Sequence, residues 1–260
     1  MGCFSFNYEY FIFPGFWIVS KRCFLYIKCM VPSKKERWVM FDAIANTYDQ
    51  INRCITFGSD IYWRNAMVSK ISKKASNLLD VASGTMDVAI TAAQKCKQLT
   101  SITALDMAKD MLSIGEKKCQ KRGIKMISSL VADVHHLPFN AQSYDAVTVS
   151  FGIRNFEKLD AAFKEMHRVL KTGGELIILE SCQPKNPFMR VLNNLYLRWW
   201  VQPIGGIMSG EKAAYSYLME TIETFSTPEE LSEMLKNAGF STVSVHLVMF
   251  QSVQMIYAIK

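Results

Sequence analysis

The chain has 260 residues, of which 50% are hydrophobic and 20% charged, so it is long enough to bury one sizeable core. Its net charge of +7 favours an anionic partner, but the basic residues occur in short groups and give no support to nucleic acid. Seven cysteines without a C-x-x-C pair and four histidines without metal-ligand spacing lead us to expect a reducing cytoplasm, no disulfide framework and no metal.

The first 31 residues differ from the rest because aromatic side chains crowd around Pro14-Gly15. The longest apolar run, residues 11–19, is far shorter than the ~20 residues of a membrane span. No small-residue cleavage site follows it, as would be expected of a secretory signal. Two interpretations stay open, an interfacial anchor or a true translation start at Met30. We expect residues 32–260 to form a single domain.

From residue 76 onward, short β-rich runs alternate with helical stretches, which is typical of a parallel sheet with helices on both faces. The predicted strands are 77–81, 101–105, 126–131, 146–150 and 175–180. The predicted helices between them are 86–97, 108–122 and 159–170. We expect Gly173-Gly174 to supply the positive φ that ends the last of these helices.

The C-terminal part of the chain reads differently. Residues 184–225 predict an aromatic, helical, lid-like insertion, and Thr227, Pro228 and Glu230 mark the start of a further helix. The strand-like runs 242–248 and 254–259 follow each other without a helix, which predicts an antiparallel hairpin. The expected fold class is therefore α/β, a doubly wound and mostly parallel sheet with an antiparallel C-terminal hairpin.

Small residues connect the first predicted strand to its helix, from Asp80 through Gly84 and Thr85. Such a turn lets a ligand approach unpaired backbone N–H groups closely. Asp106 ends the second strand about twenty residues later, where a carboxylate can accept hydrogen bonds from both ribose hydroxyls of a nucleotide-like cofactor. These features alone fit a nicotinamide cofactor equally well.

Three further features favour S-adenosylmethionine. The G-x-G-x-x-G spacing of dinucleotide folds is missing. Asp133 lies just past the third strand, where a carboxylate can accept the exocyclic amine of adenine. The element order with its terminal hairpin resembles the class I methyltransferase fold. The predicted cofactor-binding residues are Asp80, Gly84, Thr85, Asp106, Met107, Asp133, Val134 and Ser150.

Four separated motifs carry a closer resemblance. Residues 48–58 read YDQINRCITFG before Trp63, and residues 150–155 read SFGIRN. Residues 168–182 begin RVLKTGG and end ESC, and residues 215–218 read YSYL. Over residues 36–260 the chain resembles the UbiE/MenG family of ubiquinone and menaquinone biosynthesis C-methyltransferases. The resemblance implies the class I fold and S-adenosylmethionine as cofactor.

The chain also departs from this family pattern. The family turn usually reads G-G-T-G-D, whereas residues 83–87 read SGTMD, and we expect Met86 to crowd the backbone near the methionine moiety. Four more positions replace the usual Ser, His, Pro and Ser, and they are Thr56, Asp60, Thr172 and Cys182. We interpret this drift as a divergent member with the same function.

The resemblance implies methylation of a ring carbon beside a hydroxyl of a prenylated quinol, with demethylmenaquinol favoured over the benzoquinol precursor of ubiquinone. We expect Arg154 to stabilise the developing phenolate and Asn155 to support it with a hydrogen bond. Tyr48, Asp49 and His135 are the candidates for the general base. Two alternatives are a methyltransferase for another small molecule and, because of Met86, a catalytically degenerate scaffold.

The naphthoquinol is favoured because the first 30 residues carry no mitochondrial presequence pattern. A prenyl tail and a basic surface together predict a cytoplasmic protein in peripheral contact with the inner face of the membrane. Tyr196, Trp199 and Trp200 fit a lid over such a tail and a plain aromatic core equally well. The oligomeric state stays open, with a homodimer among the options.

Overall fold

The computed structural model describes residues 37–260. The N-terminal extension, with its anchor and start-site interpretations, lies outside the described residues. Within residues 37–260, no helix combines the length and the apolar character that crossing a bilayer requires.

Seven strands form one sheet in the order β3-β2-β1-β4-β5-β7-β6. The first five strands in this order pair in parallel, and β7 runs antiparallel to both β5 and β6. This arrangement confirms the predicted doubly wound sheet with its antiparallel C-terminal hairpin. The strands are β1 Asn77–Val81, β2 Ser101–Asp106, β3 Ile127–Val131, β4 Tyr144–Ser150, β5 Leu170–Ser181, β6 Thr242–Val248 and β7 Val253–Ile259.

Helices cover both faces of the sheet and extend beyond its carboxyl edge. Leu78 and Leu79 are each fully buried, and successive side chains of a strand point to opposite faces. One apolar core therefore lies under α2, α3 and α4, and a second lies under α5 and α9. The helices are α1 Arg37–Ile55, α2 Ser59–Val68, α3 Asp87–Lys95, α4 Lys109–Lys121, α5 Leu159–Val169, α6 Pro187–Tyr196, α7 Gln202–Ser209, α8 Lys212–Thr224 and α9 Pro228–Asn237.

The predicted role of the glycine pair was wrong in one respect. Helix α5 ends at Val169, and the next residue already begins β5. Gly173, with φ 75°, lies inside β5 where the pairing with β4 shifts register. A Cβ atom on Gly174 would lie 3.0 Å from the Asp145 carbonyl oxygen. Gly174 therefore permits the close approach of β5 to β4, while Gly173 supplies the positive φ at this irregularity.

Met86 has a positive φ of 62° immediately before α3, and its side chain is almost fully buried. It packs against Gly115 of α4, where an added Cβ would lie 2.4 Å from the Met86 Cγ. The sequence led us to expect Met86 to crowd the backbone near the methionine moiety, and the structure places its side chain in the core between α3 and α4.

We expect Gly115→Ala to lower the free energy of unfolding by about 1–3 kcal/mol, because the new methyl group overlaps Met86. Alanine normally stabilises a helix interior relative to glycine, so the sign of the effect identifies the clash. Denaturant unfolding of the two single variants and of the double variant Met86→Gly with Gly115→Ala measures the coupling. Additive changes in the double variant would contradict the contact.

Three acidic and three basic side chains form ion pairs that hold α1 and α2 against α3 and α4. Lys118 Nζ lies 2.8 Å from Asp49 Oδ2 and 2.5 Å from Asp87 Oδ1. Arg53 Nη2 lies 2.7 Å from Asp87 Oδ2, and Asp60 pairs with both arginines of the group. The ion network consists of Asp49, Arg53, Asp60, Arg64, Asp87 and Lys118, contributed by α1, α2, α3 and α4.

Burial opposes ionisation of Asp87, but Lys118 and Arg64 outweigh it and lower the pKa of Asp87 to about 2, from an ordinary 3.8. A depressed pKa stabilises the fold above the ordinary value, and this stabilisation is lost as the pH falls towards 2. We expect Asp87→Asn to cost about 2 kcal/mol or more near neutral pH, and the difference from wild type to shrink in acid. Urea unfolding of both proteins between pH 7 and about pH 2 measures the difference in the free energy of unfolding.

Glu233→Gln on the exposed face of α9 removes one negative charge outside the network and serves as the control. A pH-independent difference between wild type and Asp87→Asn would contradict the assigned role of the ion network.

Candidate functional site

A cavity of about 420 Å³ lies at the carboxyl ends of β1, β2, β3 and β4, and we call it the strand-end cavity. Strand β1 has β2 on one side and β4 on the other, so the strand order reverses here. Open α/β sheets bind ligands at such a switch point, and the volume falls within the ~300–1,000 Å³ of small-molecule sites. Six predicted cofactor-binding residues line it, namely Gly84, Asp106, Met107, Asp133, Val134 and Ser150.

The turn after β1 is joined to the end of β2 by one carboxylate. Asp106 Oδ2 accepts the Gly84 N–H at 2.7 Å, and Oδ1 accepts the Ala108 N–H at 2.8 Å. Burial raises the pKa of Asp106, while these backbone donors partly offset the rise. A carboxylate has about four acceptor positions, so these backbone donors leave room for a ribose hydroxyl. Gly84 has φ 53°, which a glycine adopts without strain.

Two other predicted cofactor-binding residues lie behind this turn. The buried Asp80 accepts a hydrogen bond at 2.7 Å from Thr148 Oγ1 and another from Ser83 Oγ. Burial raises the pKa of Asp80 to about 6. Thr85 Oγ1 donates to Asp49 Oδ1 at 2.6 Å. In the structure both side chains shape the turn, and direct contact with the cofactor stays a prediction for them.

Polar groups suited to an adenosine line the far side of the strand-end cavity. Asp133 Oδ1 accepts from the His135 backbone N–H at 3.0 Å and contacts its Nδ1 at 2.5 Å. Both contacts use Oδ1, so Oδ2 can accept an amine. Ser150 Oγ is buried without a hydrogen-bond partner within residues 37–260. An unpaired buried hydroxyl is costly, so a ligand that bonds to it fits this wall, and the residues present suit S-adenosylmethionine.

Two strained residues form the floor of the strand-end cavity. Ala82 and Phe151 follow β1 and β4 and have φ values of 51° and 56°. A Cβ atom on Gly152 would lie 2.5 Å from the Ala82 Cβ, so the two loops touch. Backbone strain of this kind concentrates at functional sites. Sequence reasoning missed it, because nothing in the local residue types demands a positive φ.

A second cavity, of about 140 Å³, lies between α1, α2 and the helices that follow β5, and we call it the helical cavity. Its walls are mainly apolar and aromatic and include Met40, Ile44, Tyr196, Leu197, Val201 and Tyr215. Four residues line both cavities, namely Phe41, Tyr48, Phe151 and Asn155. The two cavities therefore meet at this shared wall.

Three of the predicted catalytic residues come together at or beside the shared wall. Tyr48 and Asn155 belong to it, and Arg154 lines the helical cavity. Burial raises the pKa of Tyr48, so its hydroxyl stays protonated at neutral pH. Arg154 Nε donates to the buried Glu180 at 2.6 Å, and its Nη1 donates to Thr221 Oγ1 at 2.9 Å.

The other two candidates for the base lie elsewhere. Asp49 is held by Thr85 and Lys118 in the ion network. His135 lines the strand-end cavity, where its Nε2 accepts the Lys158 backbone N–H at 3.1 Å. The side chains of Asp49 and His135 therefore both make hydrogen bonds within the protein. A role as the general base stays a prediction for them.

Several residues at the site were missed from sequence. Tyr217 donates to Asn155 Oδ1 at 3.1 Å, which turns the amide nitrogen of Asn155 towards other acceptors. Tyr217 and Thr221 lie one turn apart on α8, and together they hold Asn155 and Arg154. The available signal for Glu180 was an acid at the end of an otherwise apolar strand.

We expect Ser150→Ala to weaken S-adenosylmethionine binding about fivefold without lowering the free energy of unfolding, because Ser150 Oγ has no partner within the described chain. Thr148→Val on the same strand is the contrasting variant. It removes the bond to Asp80 and should lower stability. Calorimetric titration and urea unfolding measure the two effects, and unchanged affinity for Ser150→Ala would rule out this contact.

Comparisons with known proteins agree with this geometry. The model of the ubiE/COQ5 methyltransferase family matches residues 30–260. A demethylmenaquinone methyltransferase of Thermotoga maritima is 40% identical over 210 residues, which cover 80% of this chain and 89% of the relative. The ubiquinone/menaquinone biosynthesis C-methyltransferase UbiE of Bartonella tribocorum is 36% identical over 209 residues, covering 79% and 80%.

Among solved structures, a putative S-adenosylmethionine-dependent methyltransferase of Methanococcus maripaludis superposes with a TM-score of 0.60 at 20% identity. The match covers 82% of this chain and 90% of that one, and it shows the fold. The predicted methyltransferase fold and the predicted cofactor S-adenosylmethionine are confirmed. With a family model that spans all of the described residues, the chain belongs to the ubiE/COQ5 methyltransferase family.

Proposed function

We propose that this protein methylates a ring carbon of a prenylated quinol, with demethylmenaquinol as the favoured acceptor. The observation that carries the proposal is the shared wall of Phe41, Tyr48, Phe151 and Asn155 between a polar cavity and an apolar one. A methyl group can pass from one bound molecule to the other only where the two cavities meet. The names of the relatives, demethylmenaquinone methyltransferase and UbiE, support the same acceptor class.

The chain's own residues divide into those for the cofactor and those for the acceptor. Gly84, Asp106, Asp133 and Ser150 would hold S-adenosylmethionine in the strand-end cavity. When bound, it supplies an electrophilic methyl group on a sulfonium sulfur. The walls of the helical cavity would hold the quinol ring against the shared wall, so that two reactants are kept at near-attack distance.

The acceptor must be the reduced quinol, because only a hydroxylated ring is electron-rich enough to act as a carbon nucleophile. The hydroxyl would give its proton to a bound water polarised by Asp49 or His135. The neighbouring ring carbon would then form the new C–C bond as the S–CH3 bond breaks and the neutral thioether S-adenosylhomocysteine leaves. The ring would regain aromaticity by giving its C–H proton to water. Arg154 stabilises the phenolate charge with its guanidinium. Tyr48 would donate a hydrogen bond to the phenolate oxygen. Tyr48 does not act as the base, since burial raises its pKa and keeps the hydroxyl protonated.

The helices of residues 184–225 act as a lid in this proposal. The helical cavity of about 140 Å³ is smaller than the ~300 Å³ lower bound of ligand sites, so a prenylated ring enters only when these helices move apart. Closure then excludes water from the reacting groups. Tyr217 and Thr221 lie on lid helix α8, and closure also sets the positions of Asn155 and Arg154.

The prenyl tail of the acceptor also indicates where in the cell the protein would act. Removing each methylene from the bilayer costs ~0.8 kcal/mol, so a long tail stays in the membrane while the ring is methylated. The protein therefore works as a cytoplasmic enzyme in peripheral contact with the inner face of the membrane. Its net charge of +7 favours contact with anionic lipid.

We expect labelled S-adenosylmethionine to transfer its methyl group to chemically reduced demethylmenaquinol and not to the oxidised quinone. A methoxy-prenylbenzoquinol forms a third arm, and its relative kcat/KM decides between the two quinol classes. A variant Asn155→Ala should bind the cofactor but transfer the methyl group about tenfold or more slowly, because it loses a donor at the shared wall. Label in the oxidised quinone, or in no acceptor despite cofactor binding, would overturn the proposal.

A further inference from the structure

Helix α6 and the turn after it present an apolar stripe to solvent. Asn186 begins the helix by accepting the Phe188 and Met189 N–H groups, and Pro187 occupies a first-turn position. The outward side chains repeat at helical spacing and are 45% to 74% exposed. We call them the α6 stripe, and they are Phe188, Val191, Leu192, Leu195 and Trp199.

The opposite face of the same helix belongs to the site. Asn193, Tyr196 and Leu197 line the helical cavity. A π-helical segment, Leu197–Val201, then turns Trp199 outward while Trp200 stacks on Phe57 with ring centroids 4.9 Å apart. Only the thickness of one helix therefore separates the α6 stripe from the cavity proposed for the quinol ring.

The segment that carries the stripe contains basic residues but no acidic ones, although Lys185 pairs with Glu229 of α9. Between Glu180 and Glu211 the sequence contains three cationic residues, Lys185, Arg190 and Arg198, and no acidic one. Both arginines are exposed. An apolar helical face bordered by arginine and lysine is the pattern of a helix that lies in the interface of an anionic bilayer.

We infer that the α6 stripe is the surface that docks on an anionic lipid bilayer, with Arg190 and Arg198 against the headgroups. The inference rests on the proposed function, because a tail-bearing acceptor must reach the helical cavity from the membrane. Docking on this face brings α6, one wall of that cavity, into the lipid interface. The acceptor ring can then enter beside α6 while its tail stays among the acyl chains.

The test uses the full chain and sedimentation with vesicles of phosphatidylcholine, with and without phosphatidylglycerol. We expect Val191→Glu to weaken binding to the anionic vesicles about tenfold, and Arg198→Gln about fivefold. Val131→Glu is the matched control, since Val131 is 50% exposed and Val191 57%, and both variants add the same charge. Val131 lies at the end of edge strand β3, at the other side of the sheet from β6 and β7.

Wild-type binding that Val191→Glu and Val131→Glu reduce equally, or not at all, would overturn the inference. A change in oligomeric state of Val191→Glu, measured by light scattering, would also overturn it by assigning the stripe to a second copy of the chain. Methyl transfer to a tail-less quinol in solution keeps the proposed function separate. Val191→Glu should leave that reaction unchanged. A wild type that binds the anionic vesicles but methylates neither demethylmenaquinol nor the tail-less quinol would refute the proposed function alone.

Discussion

The ion network is the constraint on which both cavities depend. Helix α1 supplies Phe41 and Tyr48 to the shared wall, and the network holds α1 and α2 against α3 and α4. The Asp49 carboxylate also accepts a hydrogen bond from Thr85. It therefore connects α1, which carries part of the shared wall, to the turn after β1. Partly buried charges are expensive to leave unpaired, and loss of one member would loosen a wall of each cavity.

A second buried ion pair solves a different problem, the presence of a permanent cation in an apolar cavity. Arg154 lies on the helical cavity, and the fully buried Glu180 balances its charge through Nε. The position of Arg154 also depends on Thr221 of α8, so a helix that borders the helical cavity also holds this guanidinium.

The parts of the site at strand ends could be predicted from sequence, because the carboxyl ends of parallel strands meet at one edge whatever surrounds them. Gly84, Asp106, Asp133 and Ser150 belong to this group. The surroundings of Asp49 could not be predicted, since they depend on how α1 packs against α4. The glycines at positions 173 and 174 correctly predicted an interruption of regular structure. They did not predict its kind, because a helix end and an irregular strand both require glycine at such a position.

The contact between Met86 and Gly115 limits which side chains these two positions can hold. Position 86 is usually glycine in the resembled motif, and a methionine fits here only because position 115 has no side chain. A larger residue at position 115 would overlap the Met86 side chain. The sizes of the side chains at these two positions, which are 29 residues apart in the chain, are therefore coupled through the packing of α3 against α4.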